Sequence, residues 1–432
     1  MHARRLPIAR IVGAGLAAAL AVFPVRAAGF GIFEQGSKAM GEAMAFTAQA
    51  DDPSAMFYNV GGLGLLHERE FYAGLTLVSL GDSSFVGAAP FPGPTETGEQ
   101  TDRMVIPPHF YWVEPIGEKT TFGLSLTSPF GLITQWDSPD AWSGRFISER
   151  AELFDLDLTP NVGFEVNDNL AIGVGVVVRF STIELRNRAA AVDLGGQTVE
   201  VAKVELEGGT DIGVGLNLGV LHRPCDFFSW GFSYRSKVTV DYSGDGLLTQ
   251  QPTGDPVFDA IVAGTLPFGQ HLPIETSIEF PDQASLGLGF RLDPKWLFEV
   301  DFNWTGWSSF DTLDIDFTTD DSLDSVRPQD WDDAVNVRGG VVWDRSERAH
   351  WRFGMYYDET PQPEDAVSPI LPDADRLGIT LGFGLQAESV TFDIAALYVD
   401  FDDRTVRFPN SNDGFYGTYS SDTALLGLSF GW

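Results

Sequence analysis

Phe298-Glu299-Val300-Asp301-Phe302-Asn303-Trp304 alternates strictly between large apolar and polar side chains. A period of two sends successive side chains to opposite faces of an extended chain, so the stretch reads as a strand with one apolar and one polar face. The same alternation recurs elsewhere. Leu377, Ile379, Leu381, Phe383 and Leu385 alternate with Gly378, Thr380, Gly382, Gly384 and Gln386. Phe228, Trp230, Phe232 and Tyr234 oppose Ser229, Gly231, Ser233 and Arg235, and Leu286, Leu288, Phe290 and Leu292 oppose Ser285, Gly287, Gly289 and Arg291. A soluble β-sandwich also alternates. Many of these segments, however, outrun the usual strand of a globular domain. Their aromatics also gather near segment ends, as in the interfacial girdles of membrane barrels.

The connections sharpen that reading. Short ones are expected at 114–119, 166–169, 223–227, 293–295, 344–349 and 387–389. Long ones fall between them, at 81–102, 130–150, 187–200, 243–273, 318–331, 358–375 and 407–421. Short turns on one side and long loops on the other are the habit of outer-membrane barrels, and the count implies about fourteen strands. The last segment, with Ala424, Leu426, Leu428, Phe430 and Trp432 on one face, supplies a strand that closes on the first and leaves no edge in lipid. Its terminal aromatic suits recognition by a barrel-assembly machinery. The expected fold is all-β: a transmembrane antiparallel β-barrel with a plug in its lumen.

Residues 29–66 (GFGIFEQGSKAMGEAMAFTAQADDPSAMFYNVGGLGLL) have no sustained period, and inside a barrel such a stretch avoids lipid only by lying in the lumen. Before it, Arg4, Arg5 and Arg10 precede an apolar run from Ile11 to Phe23, then Val25-Arg26-Ala27, the marks of a secretory signal cleaved after Ala27 or Ala28. The expected organisation is a signal peptide over 1–27, a plug over 28–66 and a barrel over 67–432, in the outer membrane of a Gram-negative bacterium. No later run reaches the roughly 20 apolar residues of a membrane helix. Removing the signal leaves 23 basic residues against 61 acidic ones, which argues against nucleic acid as a partner. The single cysteine, Cys225, excludes an internal disulfide framework. The histidines form no metal-ligand pair, and the acidic clusters lack calcium-loop spacing, so no cofactor or metal is expected.

Several blocks of the chain resemble the FadL/TodX family of outer-membrane transporters for long-chain fatty acids and other hydrophobic compounds. These are Ala50 to Asn59 (ADDPSAMFYN), Ser128-Pro129-Phe130-Gly131-Leu132 with Trp136, Trp142 to Phe146 (WSGRF), Pro294-Lys295-Trp296, Trp304 to Phe310 (WTGWSSF), Tyr357 to Pro361 (YDETP), and Leu371 to Arg376 (LPDADR). The resemblance implies a fourteen-stranded barrel with an N-terminal hatch, which moves apolar molecules by diffusion. It also implies capture near the outer loops and sideways release through a kink in the third strand. Where that family has Asn-Pro-Ala in its hatch, this chain has Asn59-Val60-Gly61, losing a fixed φ and gaining freedom.

From the residues themselves, Phe258, Ile261, Val262 and Leu266 on one side of a helical stretch, with Phe130, Leu132 and Trp136 from the loop after strand three, are candidates for an apolar capture groove, while Phe30 and Phe33 of the plug are substrate-binding candidates in the segment expected to move for release. Inward-facing Arg179, Arg235, Arg291, Arg338 and Arg352 are candidate partners for a carboxylate, or for lumen acids such as Glu299 and Asp301. Asn59, Val60, Gly61, Gly123, Ser125 and Pro129 are candidate gating residues, because proline cannot donate to a sheet ladder and marks a break after strand three. The expected partners are an apolar small molecule, outer-membrane lipid and lipopolysaccharide, with the protein a monomer and not an enzyme. Gly427-Leu428-Ser429-Phe430-Gly431 matches a nucleophile-elbow pattern without the strand-to-helix turn that chemistry needs. A porin, an adhesin and a lipid hydrolase, the last lacking a visible Ser/His pair, are the rival readings.

Overall fold

The computed structural model describes residues 29–81 and 83–432, so the expected signal peptide lies outside the described residues. The remainder is a closed antiparallel barrel of fourteen strands. In chain order these are β1 (Glu70–Leu80), β2 (Pro108–Pro115), β3 (Thr120–Thr127, resuming at Gly131–Gln135), β4 (Arg150–Asn167), β5 (Leu170–Val192) and β6 (Thr198–Cys225). They continue as β7 (Phe228–Arg235, then Val238–Gln250), β8 (His271–Phe280, then Gln283–Asp293), β9 (Trp296–Thr305, then Thr312–Phe317) and β10 (Ser325–Pro328, then Ala334–Ser346). The last four are β11 (Ala349–Asp358), β12 (Arg376–Ala387), β13 (Val390–Phe401) and β14 (Asp422–Gly431). Each pairs with its sequence neighbours, and β14 closes on β1 from Thr423 against Leu80 to Gly431 against Tyr72.

The alternation in the sequence is realised as wall and lumen. On β9 the large residues face outward, while Glu299 and Asp301 are 1 % and 0 % exposed inside. Aromatic rings ring the short-turn end of the wall. Phe71 stacks on Trp112 and Trp432, Trp296 stacks on Trp343, and Trp351 packs on Phe383. Such rings suit an interface where one edge meets lipid and the other water.

At the opposite end the strands overrun the membrane. A spanning strand needs about 9–11 residues, whereas β5 and β6 have 23 and 28. The long loop expected at 187–200 is therefore strand on both sides of a tight turn, because Val199–Leu206 and Ile183–Ala191 continue the ladder above the lipid. A second, four-stranded sheet made of Ser84–Gly87, Thr97–Glu99, Arg404–Val406 and Gly417–Ser420 caps this outer end. Its core contains Phe85, Trp136, Trp142, Phe415 and Tyr419.

Residues 29–66 lie within the barrel. They form two one-turn helices, α1 (Ser37–Met40) and α2 (Ala55–Tyr58), and a 3-10 helix (Val60–Leu65), all nearly wholly buried. This segment touches the wall backbone to backbone. A Cβ added at Gly163, Gly173, Gly219, Gly231, Gly287, Gly340, Gly354 or Gly382, on eight different strands, would come closer than 3.0 Å to an atom of the plug. Small residues on the lumen face are thus a seat.

Replacing Gly231, whose added Cβ would meet the Thr47 carbonyl, by valine is expected to cost about 1–3 kcal/mol of overpacking. The same change at Gly264, which faces open space, is expected to be silent. The temperature at which the barrel loses its heat-modifiable gel mobility compares the two.

Candidate functional site

The third strand is discontinuous at Ser128-Pro129-Phe130. Below this point β3 pairs with both β2 and β4, up to Thr127 against Asp157. Above it, Gly131–Gln135 pairs with β4 alone. On the other side Arg103–Val105 pairs with β1. Among the described residues no backbone bond joins 102–107 to 128–134, until Thr101 N–H reaches the Gln135 carbonyl at 2.8 Å. The cause is local, since Pro129 has no N–H to donate and the Phe130 N–H turns to Asp155 Oδ1 at 2.9 Å.

The N-terminal segment satisfies the backbone groups left over. Ile32 N–H donates to the Pro129 carbonyl at 2.7 Å, and Gly131 N–H donates to the Phe30 carbonyl at 3.0 Å. Gln35 clamps Ser128 with both ends of its amide, donating to the carbonyl at 2.7 Å and accepting from the N–H at 3.1 Å. Gly29 N–H donates to Asp373 of an outer loop at 3.0 Å, where burial pushes the Asp373 carboxyl above its ordinary range. The gap in the wall is therefore lined by plug backbone.

Two apolar chambers meet at this segment. One, at the outer mouth, is about 900 Å³ including its open entrance and is lined by Phe30, Leu132, Leu153, Ile183, Ile278 and Ile315 among others. The second, about 1250 Å³ on the same measure, extends from Phe33, Val399 and Phe401 inside to Ile106, Ile133 and Phe154. Ile106 and Phe154 are 50 % and 46 % exposed on the wall, so this chamber reaches through the gap. Phe30 stands between the two in a cage of Phe130, Phe280, Trp307, Phe310 and Trp331, with ring centroids 4.7 to 6.2 Å away.

Wall carboxylates are among the groups that anchor the plug. Asp301 accepts from the Phe46 and Thr47 N–H groups at 3.0 Å, and Glu299 from Ala48 N–H at 2.5 Å. These acids serve plug backbone, correcting the expectation that they pair with lumen arginines. Just before them Ala43 and Met44 hold φ of 54° and 59°, a left-handed conformation that non-glycine residues adopt only when held there. Arg352 joins plug to wall, bonding Glu42 at 3.3 Å and Asp393 at 2.7 Å. Asn59 reaches the Val220 carbonyl of β6 at 2.9 Å and the Thr47 carbonyl at 2.7 Å. Val60 is fully buried, and Gly61 lies so close to Val220 and Leu221 that a side chain there would strike backbone.

Other candidates take different places. Trp136 stacks on Trp142 at 4.4 Å in the outer cap and also borders a cleft lined by Phe30 and Leu132. The predicted helical stretch is α3 (Pro256–Thr265), capped by Asp255. Phe258 and Val262 pack on Val201 and Ala202 of β6, Leu266 lies beside them, and Ile261 points outward at 49 % exposure. It builds no groove with residues 130–136, because its apolar face is spent on the strand beneath. Gly123 and Ser125 sit in the regularly paired part of β3, below the break, where Gly123 abuts Met56 of the plug.

The arginines divide as follows. Arg179 bonds Asp157 at 2.8 Å and Asp155 at 3.1 Å, and Arg338 approaches Asp358 at 3.5 Å. Arg291 pairs with Asp344 at 3.3 Å near the short-turn end, away from both apolar chambers. Arg235 donates to the Phe57 carbonyl. A Ser/His pair that sequence separation concealed does exist, with His109 Nε2 2.8 Å from Ser429 Oγ. Both are buried, and Ser429 Oγ donates on to Ser37 of the plug at 2.7 Å, which makes the pair another anchor.

Comparison with known proteins gives a consistent family. The model for outer membrane protein transport proteins (OMPP1/FadL/TodX) matches residues 17–432. A long-chain fatty acid transport protein of Escherichia coli O6:H1 is 24 % identical over 445 aligned positions, covering 96 % of this chain and 97 % of that protein. A FadL homologue of Pseudomonas aeruginosa superposes with a TM-score of 0.83 at 21 % identity, over 94 % of this chain and 99 % of that one. The P. putida toluene transporter TodX superposes with a TM-score of 0.69 at 14 % identity, over 92 % and 97 %.

Replacing Asp301 by alanine removes the acceptor of two plug N–H groups, each bond to a charged group being worth about 1.5–3 kcal/mol. Hydrogen exchange at Phe46 and Thr47 is expected to quicken at least about tenfold, by the same energies, while β4 and β5 amides keep their protection. Unchanged exchange at both residues would rule out the carboxylate as the anchor.

Proposed function

The chain belongs to the outer membrane transport protein family of OMPP1, FadL and TodX, and from that membership and the chambers around Phe30 we propose that it is a diffusion channel for hydrophobic molecules, long-chain fatty acids foremost. Molecules enter the mouth chamber beneath the outer cap, pass the Phe30 cage and leave sideways into the membrane through the gap beside Pro129. The observation that carries this reading is the second chamber, which runs from the lumen to outward-facing Ile106 and Phe154.

Magnitudes support a gated path. Sheathing a sixteen-carbon chain contributes on the order of 10 kcal/mol at about 0.8 kcal/mol per CH₂. A static site that tight retains its cargo, so release requires the site to change. The segment Gly29–Phe33 is the gate on this reading, because it both fills the aromatic cage and completes the broken strand. A sideways exit lets the apolar chain pass from one apolar surrounding to another without crossing water. Downward passage is opposed by the plug, which rests on wall glycines around the barrel. That packing also disfavours a non-specific aqueous pore.

Hydrocarbons and monoaromatics form the second cargo class. The mouth chamber is lined by Glu152 and Glu184 but by no lysine or arginine, which favours molecules without a charge at that stage of entry.

Deleting Gly29–Phe33 is expected to leave an assembled barrel with long-chain fatty acid uptake reduced to a small fraction, measured in cells lacking another transporter. Unchanged uptake would make the segment a passive filler. Cysteines at Ile106 and Ile133, joined across the gap by a bifunctional reagent in a Cys225→Ser background, are expected to stop uptake reversibly. Uptake that continues with the gap bridged would exclude the sideways route.

A further inference from the structure

We infer that Arg235 is the head-group site of this channel, taking the carboxylate of an amphiphile whose tail lies in the apolar chamber beside Phe33. The inference deepens the transport reading above and rests on it. Among the lumen arginines with described partners, Arg179, Arg338, Arg352 and Arg376 each have a carboxylate within 4.0 Å. Among the described residues Arg235 has none within that distance; its partners are the Phe57 carbonyl and the Phe57 ring, whose centroid is 3.7 Å from the guanidinium carbon. A guanidinium presents five N–H donors in a fixed fork, so one carbonyl leaves most of its capacity unused. Half-buried between plug and wall, such a cation has donors to offer an anion.

The space beside it suits one. Arg235 lines a narrow pocket between plug and wall. Ser233, Gln283, Ser285, Asn303 and Thr305 supply hydroxyl and amide groups on the wall side, and no aspartate or glutamate lines it. On the plug side the lining is aromatic, with Phe33, Phe57 and Tyr58. Phe33 and Arg338 line both this pocket and the larger apolar chamber, so one ring and one guanidinium separate them. Arg338 lies over the Phe33 ring at 4.5 Å and shares Asp358 with Arg376, whereas Arg235 has no carboxylate beside it among the described residues. An acid lying head-down therefore meets a bidentate donor with hydroxyls around it, and its methylene chain runs back past Phe33. Neutral hydrocarbons use the chamber without the pocket.

The test compares hexadecanoic acid with its methyl ester, by equilibrium titration of the detergent-purified protein. The wild type is expected to bind the acid at least tenfold more tightly than the ester. Arg235→Gln is expected to abolish that preference while leaving ester affinity within twofold, and Arg235→Lys to restore part of it. Ser285→Glu, which sets a carboxylate beside the guanidinium with Arg235 intact, is expected to abolish it too, guarding against a misassembled Arg235 variant. An acid preference that survives in assembled Arg235→Gln and in Ser285→Glu overturns the proposal, as does a wild type that binds acid and ester alike; in both cases the transport reading stands. A wild type that binds neither compound overturns the transport reading itself. Acetate is expected not to displace the acid; full displacement by acetate would reveal an anion site unconnected to the apolar chamber and overturn the inference.

Discussion

The structure depends on one close approach: the backbone of the plug lies directly on the backbone of the wall. A barrel of this size has a lumen too wide for strand side chains to fill, and here it is filled by a segment of irregular chain. Irregular chain carries unpaired N–H and C=O groups, which must find partners once buried. Glycines on eight strands bring the wall close enough, and Asp301, Glu299, Asn59 and Gln35 complete the bonding. The two left-handed alanine and methionine residues at 43 and 44 persist because this surrounding lattice holds them.

This dependence explains what was legible in the sequence. The period of two, the uneven connections and the closing strand ending on Trp432 were all readable, because a barrel wall imposes them residue by residue. The location of the plug was readable by exclusion, since an aperiodic stretch has no place in lipid. The purpose of the lumen glycines was not, because their partner is a backbone dozens or hundreds of residues away that carries no complementary pattern. For the same reason Glu299 and Asp301 invited arginines as partners. Charge suggests charge, whereas the acids accept from main-chain amides that no residue type announces.

The site divides in the same manner. Pro129 marked the break because its effect is covalent and local. Phe30, Phe130 and Leu132 come together beside the gap and its chamber. The helix Pro256–Thr265 went elsewhere. An exposed-looking apolar stripe on a loop pairs with whatever strand runs under it, and the strands run farther out than the loop-like composition of 187–200 implied. The aromatic cage also draws on Trp307 and Trp331, whose convergence on Phe30 is set by long-range closure of the outer loops.

The broken third strand has a mechanical corollary. Its spare hydrogen bonds are lent by Phe30 and Ile32. Withdrawal of that segment leaves backbone groups facing lipid, at a cost of several kcal/mol for each group left unmatched. On the transport reading, the opening is therefore spring-loaded: the membrane that receives the cargo also supplies the restoring force that shuts the door behind it.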